Sequence, residues 1–325
     1  MPELIIPIII VVSLFLVVLL LATYTYFRVF YNNPQKKKKF SMPHAERYTE
    51  ELEKLKELTE NLKKEPYEEV SIISFDGTRL SGRFYNNVEG APIYISFHGY
   101  KGSIERDFSG GYKTVIARGH NPLIVDQRAH GKSGGKTITF GVKERLDCLE
   151  WIKYVNERFG DDTPIIIAGI SMGGATVLMA SDLELPGNVV GILSDCAYSS
   201  PKAIIKKVCK DEKLPPNLVY PFIHLGAKIF GGFNPSRESA VKSVAGCKIP
   251  ILLIHGDEDL FVPYSMAKEI YESATKSTTV TLETFEGAGH GFSFLCDTER
   301  YERVTNAFVA DALDRYYREK QKENQ

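Results

Sequence analysis

The chain has 325 residues, of which 43% are hydrophobic, and its formal net charge at pH 7 is −1. This length accommodates one domain of about 250 residues with a large core plus an additional segment, and the near-zero charge argues against nucleic acid or an acidic polymer as a partner. The five cysteines are odd in number and lack close pairing, which argues against a disulfide framework and favours a reducing compartment.

The first predicted element is a membrane-spanning helix over residues 4–27. This stretch is almost entirely apolar and, at about 1.5 Å per residue, is long enough for a hydrocarbon core of about 30 Å. A cleaved signal peptide is the alternative, but Glu3 is the only charged side chain before the run and bulky aromatic residues stand where cleavage would occur. The sequence therefore predicts residues 1–31 as an uncleaved single-pass anchor.

The basic residues after this helix predict its orientation. Arg28 and the cluster Lys36–Lys39 lie on its C-terminal side, which by the positive-inside rule places the rest of the chain in the cytoplasm. An extracytoplasmic domain, as in many N-terminally anchored proteins, is the alternative.

A basic linker and a charged helix are predicted over residues 32–66. Within residues 44–65, a tyrosine and several leucines recur at helical spacing until Pro66 ends the pattern. We interpret this helix as docking on the domain or acting as a spacer. A short self-associating coil is the alternative, although the apolar stripe is brief for a coiled coil.

Residues 67–325 predict an α/β domain in which short apolar strands alternate with helices, typical of a mostly parallel sheet covered on both faces. A hairpin around Asp76-Gly77 supplies an antiparallel edge. Eight strands are predicted, at 70–75, 79–85, 92–97, 122–127, 164–169, 189–194, 249–254 and 278–285. Helices are predicted at 107–118, 141–158, 172–182, 264–275 and 297–319, and the proline-rich residues 199–247 predict a helical insertion after the sixth strand.

A glycine-framed serine, in the run Gly169-Ile170-Ser171-Met172-Gly173, joins the fifth predicted strand to a helix. This position needs a very sharp turn, and glycines allow it because a side chain there would collide with neighbouring backbone. The turn lifts the serine hydroxyl above the sheet edge, and the helix N-terminus points its N–H groups at the atom under attack. The pattern predicts Ser171 as a nucleophile, with an ordinary glycine-rich turn as the alternative.

A serine nucleophile needs a base, and the base needs an orienting acid. Carboxylates follow the seventh predicted strand within His255–Pro263, and the glycine-framed His290 follows the eighth. Both would lie on the same rim of an open α/β sheet as the serine. The order Ser, Asp, His is the one found in α/β-hydrolases.

With these motifs, the chain resembles the α/β-hydrolase superfamily over about residues 67–320. The resemblance is to monoacylglycerol-lipase-like and serine-aminopeptidase-like enzymes and to membrane-anchored bacterial hydrolases. Four motifs carry it: Phe97-His98-Gly99-Tyr100, Asp126–Ser133, the serine turn, and His255–Pro263 together with Gly289-His290-Gly291.

The resemblance implies a role for each motif residue. Ser171 would be the nucleophile, His290 the general base and Asp259 the orienting acid, and the oxyanion hole would be formed by the backbone N–H groups of Tyr100 and Met172. Two carboxylates compete with this choice of acid. Asp257 is expected to close a turn, whereas Asp195, after the sixth strand, is the alternative because some hydrolases take their acid from that strand.

Other side chains in these motifs are expected to be structural. His98 and His130 are expected to stabilise turns, and Asp126-Gln127-Arg128 is expected to brace the loops beside the serine. No pair of histidines or carboxylates has metal-ligand spacing, so neither a metal nor a cofactor is predicted.

The predicted function is a membrane-anchored serine hydrolase that cleaves a small carboxylic ester through an acyl-enzyme on Ser171. Esters are favoured over amides because they have better leaving groups, and because residues 199–247, which this superfamily places over the site as a cap, are apolar. An aminopeptidase-like peptidase or a thioesterase on the same triad is the alternative within the class, and the cap helices could serve packing alone. A catalytically inactive, membrane-tethered binding module is the non-enzymatic alternative.

Overall fold

A computed structural model describes residues 2–34 and 48–323. Its strands are β1 (Glu68–Ile73), β2 (Arg79–Phe84), β3 (Ile93–Phe97), β4 (Asn121–Asp126), β5 (Ile165–Ile170), β6 (Val189–Asp195), β7 (Ile251–Gly256) and β8 (Val280–Phe285). Its helices are α1 (Pro2–Val29), α2 (Thr49–Leu62), α3 (Ile104–Ala117), α4 (Glu144–Phe159), α5 (Met172–Ala180), α6 (Pro201–Asp211), α7 (Pro216–Gly231), α8 (Ala240–Val244), α9 (Tyr264–Ala274), α10 (Ser293–Cys296) and α11 (Thr298–Glu323).

The strands form one eight-stranded sheet in the order β1-β2-β4-β3-β5-β6-β7-β8. The strand β2 pairs antiparallel with both β1 and β4, and every other pair is parallel. The predicted mostly parallel eight-stranded sheet with an antiparallel edge is therefore confirmed. Because the parallel strands share one direction, their carboxyl ends meet at one rim of the sheet.

Helices cover both faces of this sheet, which explains why its central strands are apolar throughout. Successive residues of a strand point to opposite faces. Ile167 accordingly packs into a cluster with Trp151 of α4, whereas its neighbour Ile166 packs into a second cluster with Tyr301 and Val309 of α11.

The predicted helical insertion after the sixth strand comprises α6, α7 and α8. Ser200 begins α6 by accepting a hydrogen bond from the N–H of Ala203, and Pro201 follows it in the first turn, where a missing N–H costs nothing. Gly232 ends α7 in the left-handed conformation, with φ of 63°. These caps explain how a proline-rich segment forms three separate helices.

The helix α1 has two parts with different surroundings. Its first part, residues 5–21, is exposed apart from the partly buried Leu19, whereas Ala22, Tyr26 and Phe30 are buried against the domain. Residues 5–29 are long and apolar enough to cross a membrane, a property that a signal sequence shares.

The end of α1 packs closely on α7 of the insertion. A Cβ atom on Gly226 would lie 2.4 Å from the carbonyl oxygen of Ala22, so only glycine permits this approach. The hydroxyl of Thr25 donates to the carbonyl of Phe222 at 3.1 Å, and the Asn32 side-chain amide donates to the carbonyl of Ala129 at 2.7 Å. The predicted boundary at residue 31 thus falls within a segment that is packed on the domain.

Two predictions concern the linker. The cluster Lys36–Lys39, on which the orientation depends, lies outside the described residues, as do residues 44–47 of the predicted charged helix. Its described part, α2, packs on α3 and α10 and buries Leu55 and Leu62. The helix therefore docks on the domain, and a self-associating coil would have to withdraw these leucines from it.

The two parts of α1 should respond differently to truncation. A chain that begins at residue 22 is expected to keep the free energy of unfolding of the domain. A chain that begins at residue 34 should lose at least about 3 kcal/mol of it, because burying one large apolar side chain contributes about 1.5–3 kcal/mol. The lost side chains include Tyr26 and Phe30, which are buried. Urea unfolding of both chains measures the difference, and equal midpoints would contradict the packing described here.

Candidate active site

The candidate nucleophile lies at a strained turn between β5 and α5. Ser171 has φ of 55° and ψ of −112°, a conformation that few non-glycine residues adopt. A Cβ atom on Gly169 would lie 2.2 Å from the carbonyl carbon of Gly173, and one on Gly173 would lie 1.7 Å from the carbonyl oxygen of Phe97. Both glycines are therefore required by close backbone approach, and the Ser171 N–H is fixed by donating to the Asp195 carbonyl at 2.8 Å.

Three strand ends bring Ser171, His290 and Asp259 into one hydrogen-bonded chain. The Nε2 atom of His290 is 2.9 Å from the Ser171 Oγ, and its Nδ1 atom is 2.7 Å from the Asp259 Oδ2. All three side chains are buried. If Nδ1–H donates to the carboxylate, Nε2 is left free to accept the serine proton, which is the arrangement that general-base activation of a serine requires.

Asp259 is held as an ionised acceptor. Its Oδ1 accepts the N–H groups of Phe261 and Val262 at 2.9 and 2.7 Å, while its Oδ2 faces His290. Burial opposes ionisation, but the charge of His290 and hydrogen bonds from His255 and His290 outweigh it and hold the pKa of Asp259 well below its usual range. The carboxylate is therefore fixed in position to orient the imidazole.

The two competing carboxylates lie elsewhere. Asp257 accepts the N–H of Gly287 at 2.8 Å on the surface and so closes a turn. Asp195 is buried at the end of β6, its Oδ1 has no hydrogen-bond partner within the described part of the chain, and burial raises its pKa to about 6. Of the three carboxylates, Asp259 alone hydrogen-bonds His290 among the residues described.

Asp195 should make the stability of the domain depend on pH. Because the pKa rises from 3.8 to about 6 on burial, the folded state binds more protons than the unfolded state between these values, and stability falls as the pH rises through them. A pKa difference of about two corresponds to roughly 3 kcal/mol. The wild type should therefore lose up to roughly 3 kcal/mol of its free energy of unfolding between pH 4 and pH 7 through this group, whereas Asp195→Asn should not. The stability of the variant relative to the wild type should rise by that amount over this pH range. Urea unfolding at both pH values measures this gain, and a pH-independent difference would contradict it.

The candidate oxyanion loop lies beside the serine. Tyr100 is in the loop after β3 and Met172 is the first residue of α5. A Cβ atom on Gly99 would lie 3.4 Å from the Cβ of Ser171, which places this loop in contact with the nucleophile. The loop is held by two hydrogen bonds, from the Gly99 N–H to the Asp107 Oδ2 at 2.7 Å and from the Lys101 N–H to the His130 Nε2 at 3.0 Å.

The other motif histidines take part in loop structure. The Nε2 of His98 accepts the N–H of Gln127 at 3.1 Å, and its Nδ1 lies 2.9 Å from the Gly99 carbonyl. His130 bonds in the same way, with Nδ1 2.9 Å from the carbonyl of Arg128. The Arg128 guanidinium in turn bonds Asp147 at 2.7 and 2.6 Å. These side chains brace the loops beside the serine.

A cavity of about 90 Å³ adjoins the serine, and three of its lining residues were not found by the sequence reasoning. Phe261 lies with its ring centroid 5.0 Å from that of His290, and Arg106 and Asp107 form an ion pair at 2.5 Å. Neither the arginine nor the aspartate belongs to a motif, since both lie in the first turn of α3. The complete lining is Gly99, Tyr100, Arg106, Asp107, Ile170, Ser171, Phe261, His290 and Gly291.

The linker also reaches the histidine loop. Tyr48 stacks on Phe292 with ring centroids 4.3 Å apart, and its hydroxyl donates to the Gly287 carbonyl at 3.0 Å. Its place in the helical apolar stripe signals a buried face, but no sequence feature indicates that this face meets the loop carrying His290.

One group of potential metal ligands includes part of the same site. Among the described residues, the ligand atoms of Cys196, Asp259 and His290 lie within 4.8 Å of one another. Burial and the neighbouring carboxylates hold the pKa of the Cys196 thiol well above its usual range, which disfavours the thiolate that a metal needs. A metal would also compete for the bond between Asp259 and His290, so this group suits proton transfer better than metal binding.

Comparison with known families and proteins gives several similarities. The family model described as phospholipase/carboxylesterase matches residues 217–294, which contain Asp259 and His290. The chain is 25% identical to YqkD of Bacillus subtilis, an uncharacterized protein, over 60% of this chain and 64% of YqkD. It is 25% identical to the lysophosphatidylserine lipase ABHD12 of Danio rerio, over 63% of this chain and 51% of the lipase. The chain thus spans between half and two-thirds of the length of these relatives.

Solved structures share the fold. The esterase Pf2001 of Pyrococcus furiosus matches with a TM-score of 0.66 and 24% identity, over 86% of this chain and 98% of the esterase. The acylaminoacyl peptidase of Pyrococcus horikoshii matches with a TM-score of 0.56 and 20% identity, over 77% of this chain and 42% of the peptidase. These likenesses confirm the predicted fold class.

Proposed function

We propose that the chain is a membrane-anchored serine hydrolase of the α/β-hydrolase superfamily that cleaves carboxylic esters. The observation that carries this proposal is the hydrogen-bonded chain from Ser171 through His290 to Asp259, at 2.9 and 2.7 Å. A serine, a base and an orienting acid in this geometry are the parts needed to activate a hydroxyl for attack on a carbonyl.

The reaction follows from these positions. His290 takes the proton of Ser171 as its oxygen attacks the ester carbonyl, and Asp259 stabilises the imidazolium that forms. The backbone N–H groups of Tyr100 and Met172 would donate to the oxyanion of the tetrahedral intermediate. His290 then gives the proton to the departing alcohol, leaving an acyl group on Ser171, and activates a water molecule that releases the acid.

Two observations favour an ester over an amide. An ester has the better leaving group, so it needs less help from the site. The matched family model is described as phospholipase/carboxylesterase, and the curated relatives include a lipase. The esterase and peptidase structures support the fold alone because their identities are 24% and 20%.

Membrane anchoring is supported by α1. Residues 5–21 of this helix leave a continuous apolar surface without a protein partner in the described chain. We propose that they span the bilayer and that the domain faces the cytoplasm, in line with Arg28 on the domain side. Protease added to intact cells would spare the domain in this orientation and digest it in the opposite one.

Purified full-length protein in detergent provides the test. We expect an active-site-directed fluorophosphonate to label it, and p-nitrophenyl esters to be hydrolysed with kcat/KM at least about tenfold above that for aminoacyl p-nitroanilides, within the range that differences in transition-state binding provide. Absence of labelling and of turnover would indicate an inactive binding module. Faster turnover of the anilides would indicate a peptidase.

A further inference from the structure

An apolar stripe runs along the exposed side of α7. Leu218 and Ile229 are 65% and 52% exposed, and Phe222 and Leu225 between them are partly buried. Their spacing of four, three and four residues places all of them on one face of the helix. Another face of α7 is also apolar, with Ile223 buried in the main core of the domain. A cap helix facing water would carry polar residues on its outer side, so this stripe needs another explanation.

The contact between α7 and α1 determines where this stripe lies relative to the bilayer. The apolar run of α1 begins after the charged Glu3, and residues 4–21 are about 27 Å long, slightly shorter than a hydrocarbon core of about 30 Å. A core of this thickness would reach the next turn, where Tyr24 and Phe27 are 63% and 54% exposed, as aromatic residues at a membrane interface would be. The helix α7 crosses α1 at this level, because Gly226 contacts Ala22.

We propose that α7 lies in the bilayer interface, with Leu218, Phe222, Leu225 and Ile229 in contact with lipid acyl chains. This rests on the proposed membrane anchoring by α1 and adds a second membrane-binding element from the cap. The exposed cations Arg28 and Lys228, near the C-terminal ends of α1 and α7, suit the headgroup layer of an anionic leaflet. The bilayer that surrounds α1 thus also covers the apolar stripe of α7.

This placement brings the candidate active site to the membrane surface. The Tyr100 hydroxyl donates to the carbonyl of Val29, the last residue of α1, at 2.8 Å, and Tyr100 also lines the cavity beside Ser171. Val29 lies about 6 Å along the helix from Thr25, at about 1.5 Å per residue. The substrate class that fits is an amphiphilic ester whose acyl chain resides in the bilayer and whose carbonyl lies near the headgroups.

Depth-dependent fluorescence quenching tests the position of α7 without reference to activity. In full-length protein carrying Cys296→Ser, which removes the exposed native thiol, Ile229→Cys would be labelled with a polarity-sensitive fluorophore and reconstituted into phosphatidylcholine–phosphatidylglycerol vesicles. The matched control is Ile73→Cys on the edge strand β1, where Ile73 is 64% exposed. We expect spin-labelled lipids to quench the label at 229 several-fold more than the label at 73. Equal quenching, or disulfide cross-linking of the unlabelled Ile229→Cys protein to a second copy, would overturn the proposal.

Measurements of ester hydrolysis provide a second test of the proposal. The double variant Leu218→Glu/Ile229→Glu should lose about tenfold or more of its turnover of a long-chain ester embedded in vesicles, since charged side chains are costly in the apolar part of the interface. Its turnover of water-soluble p-nitrophenyl acetate should be unchanged, and so should both activities of the control Ile73→Glu. Equal losses on both substrates, or none, would contradict a membrane role for the stripe. A wild type that hydrolyses no ester would refute the proposed function, while the quenching result would still decide where α7 lies.

Discussion

Ser171→Ala is expected to lower the rate of ester hydrolysis by about 10⁴-fold or more, the scale on which loss of a triad member acts. The reason is that no other hydroxyl occupies the position of its Oγ, 2.9 Å from the His290 Nε2, within the described residues. Alanine fits the strained turn at least as well as serine does by size, so the fold should be kept. Turnover of p-nitrophenyl esters by full-length protein in detergent measures the loss, and circular dichroism checks the fold.

A matched control distinguishes this loss from general damage near the sheet edge. Ser194 is also buried at a strand end, and its hydroxyl has no hydrogen-bond partner among the described residues. Ser194→Ala should therefore keep activity within about threefold of the wild type, because no interaction is removed. Retention of more than a tenth of the activity by Ser171→Ala would show that another group is the nucleophile.

Most of the sheet could be predicted because its strands are buried on both faces and are therefore apolar without interruption. The shifts at strand ends have a backbone cause. The predicted strand 164–169 is observed as Ile165–Ile170, and 249–254 as Ile251–Gly256. Each prediction began on or before a proline, Pro164 or Pro250, which has no N–H to donate and takes part in the sheet only through its carbonyl, so the regular strand begins at the next residue.

The site could be located for a related reason. Parallel strands deliver the residues after their carboxyl ends to one rim, so Ser171, Asp259 and His290 meet although they are far apart in sequence. The choice among carboxylates could not be made this way, because it depends on side-chain direction. Asp195 is the last residue of β6 and lies beside Tyr301 of α11, whereas Asp259 follows β7 by three residues and can turn towards His290.

The contacts of the N-terminal segment could not be predicted either. Apolar periodicity marks a face that will be buried, but it does not identify the partner of that face. The docking of Ala22 on Gly226 and the stacking of Tyr48 on Phe292 both join surfaces that are distant in the chain. The sequence therefore suggested a separable anchor, whereas the structure packs its last turns on α7 beside the candidate oxyanion loop.

Asp259→Asn is expected to lower turnover by about 10³-fold or more in folded protein. An amide at this position can donate a hydrogen bond to the imidazole, which would favour the tautomer with the proton on Nε2 and so prevent His290 from accepting the serine proton. The geometry should survive, because an asparagine side-chain oxygen can still accept the N–H groups of Phe261 and Val262 that Asp259 accepts now.

The neighbouring carboxylates supply the controls for this variant. Asp257→Asn changes an exposed turn residue and Asp195→Asn changes a buried one that makes no hydrogen bond to His290 in the described structure, so both should cost less than about tenfold in kcat. Steady-state kinetics on a p-nitrophenyl ester, with each variant checked by thermal unfolding, ranks the three. If Asp195→Asn proved the most damaging while remaining folded, the orienting acid would have to be assigned to the end of β6, and the short bond between Asp259 and His290 would be structural only.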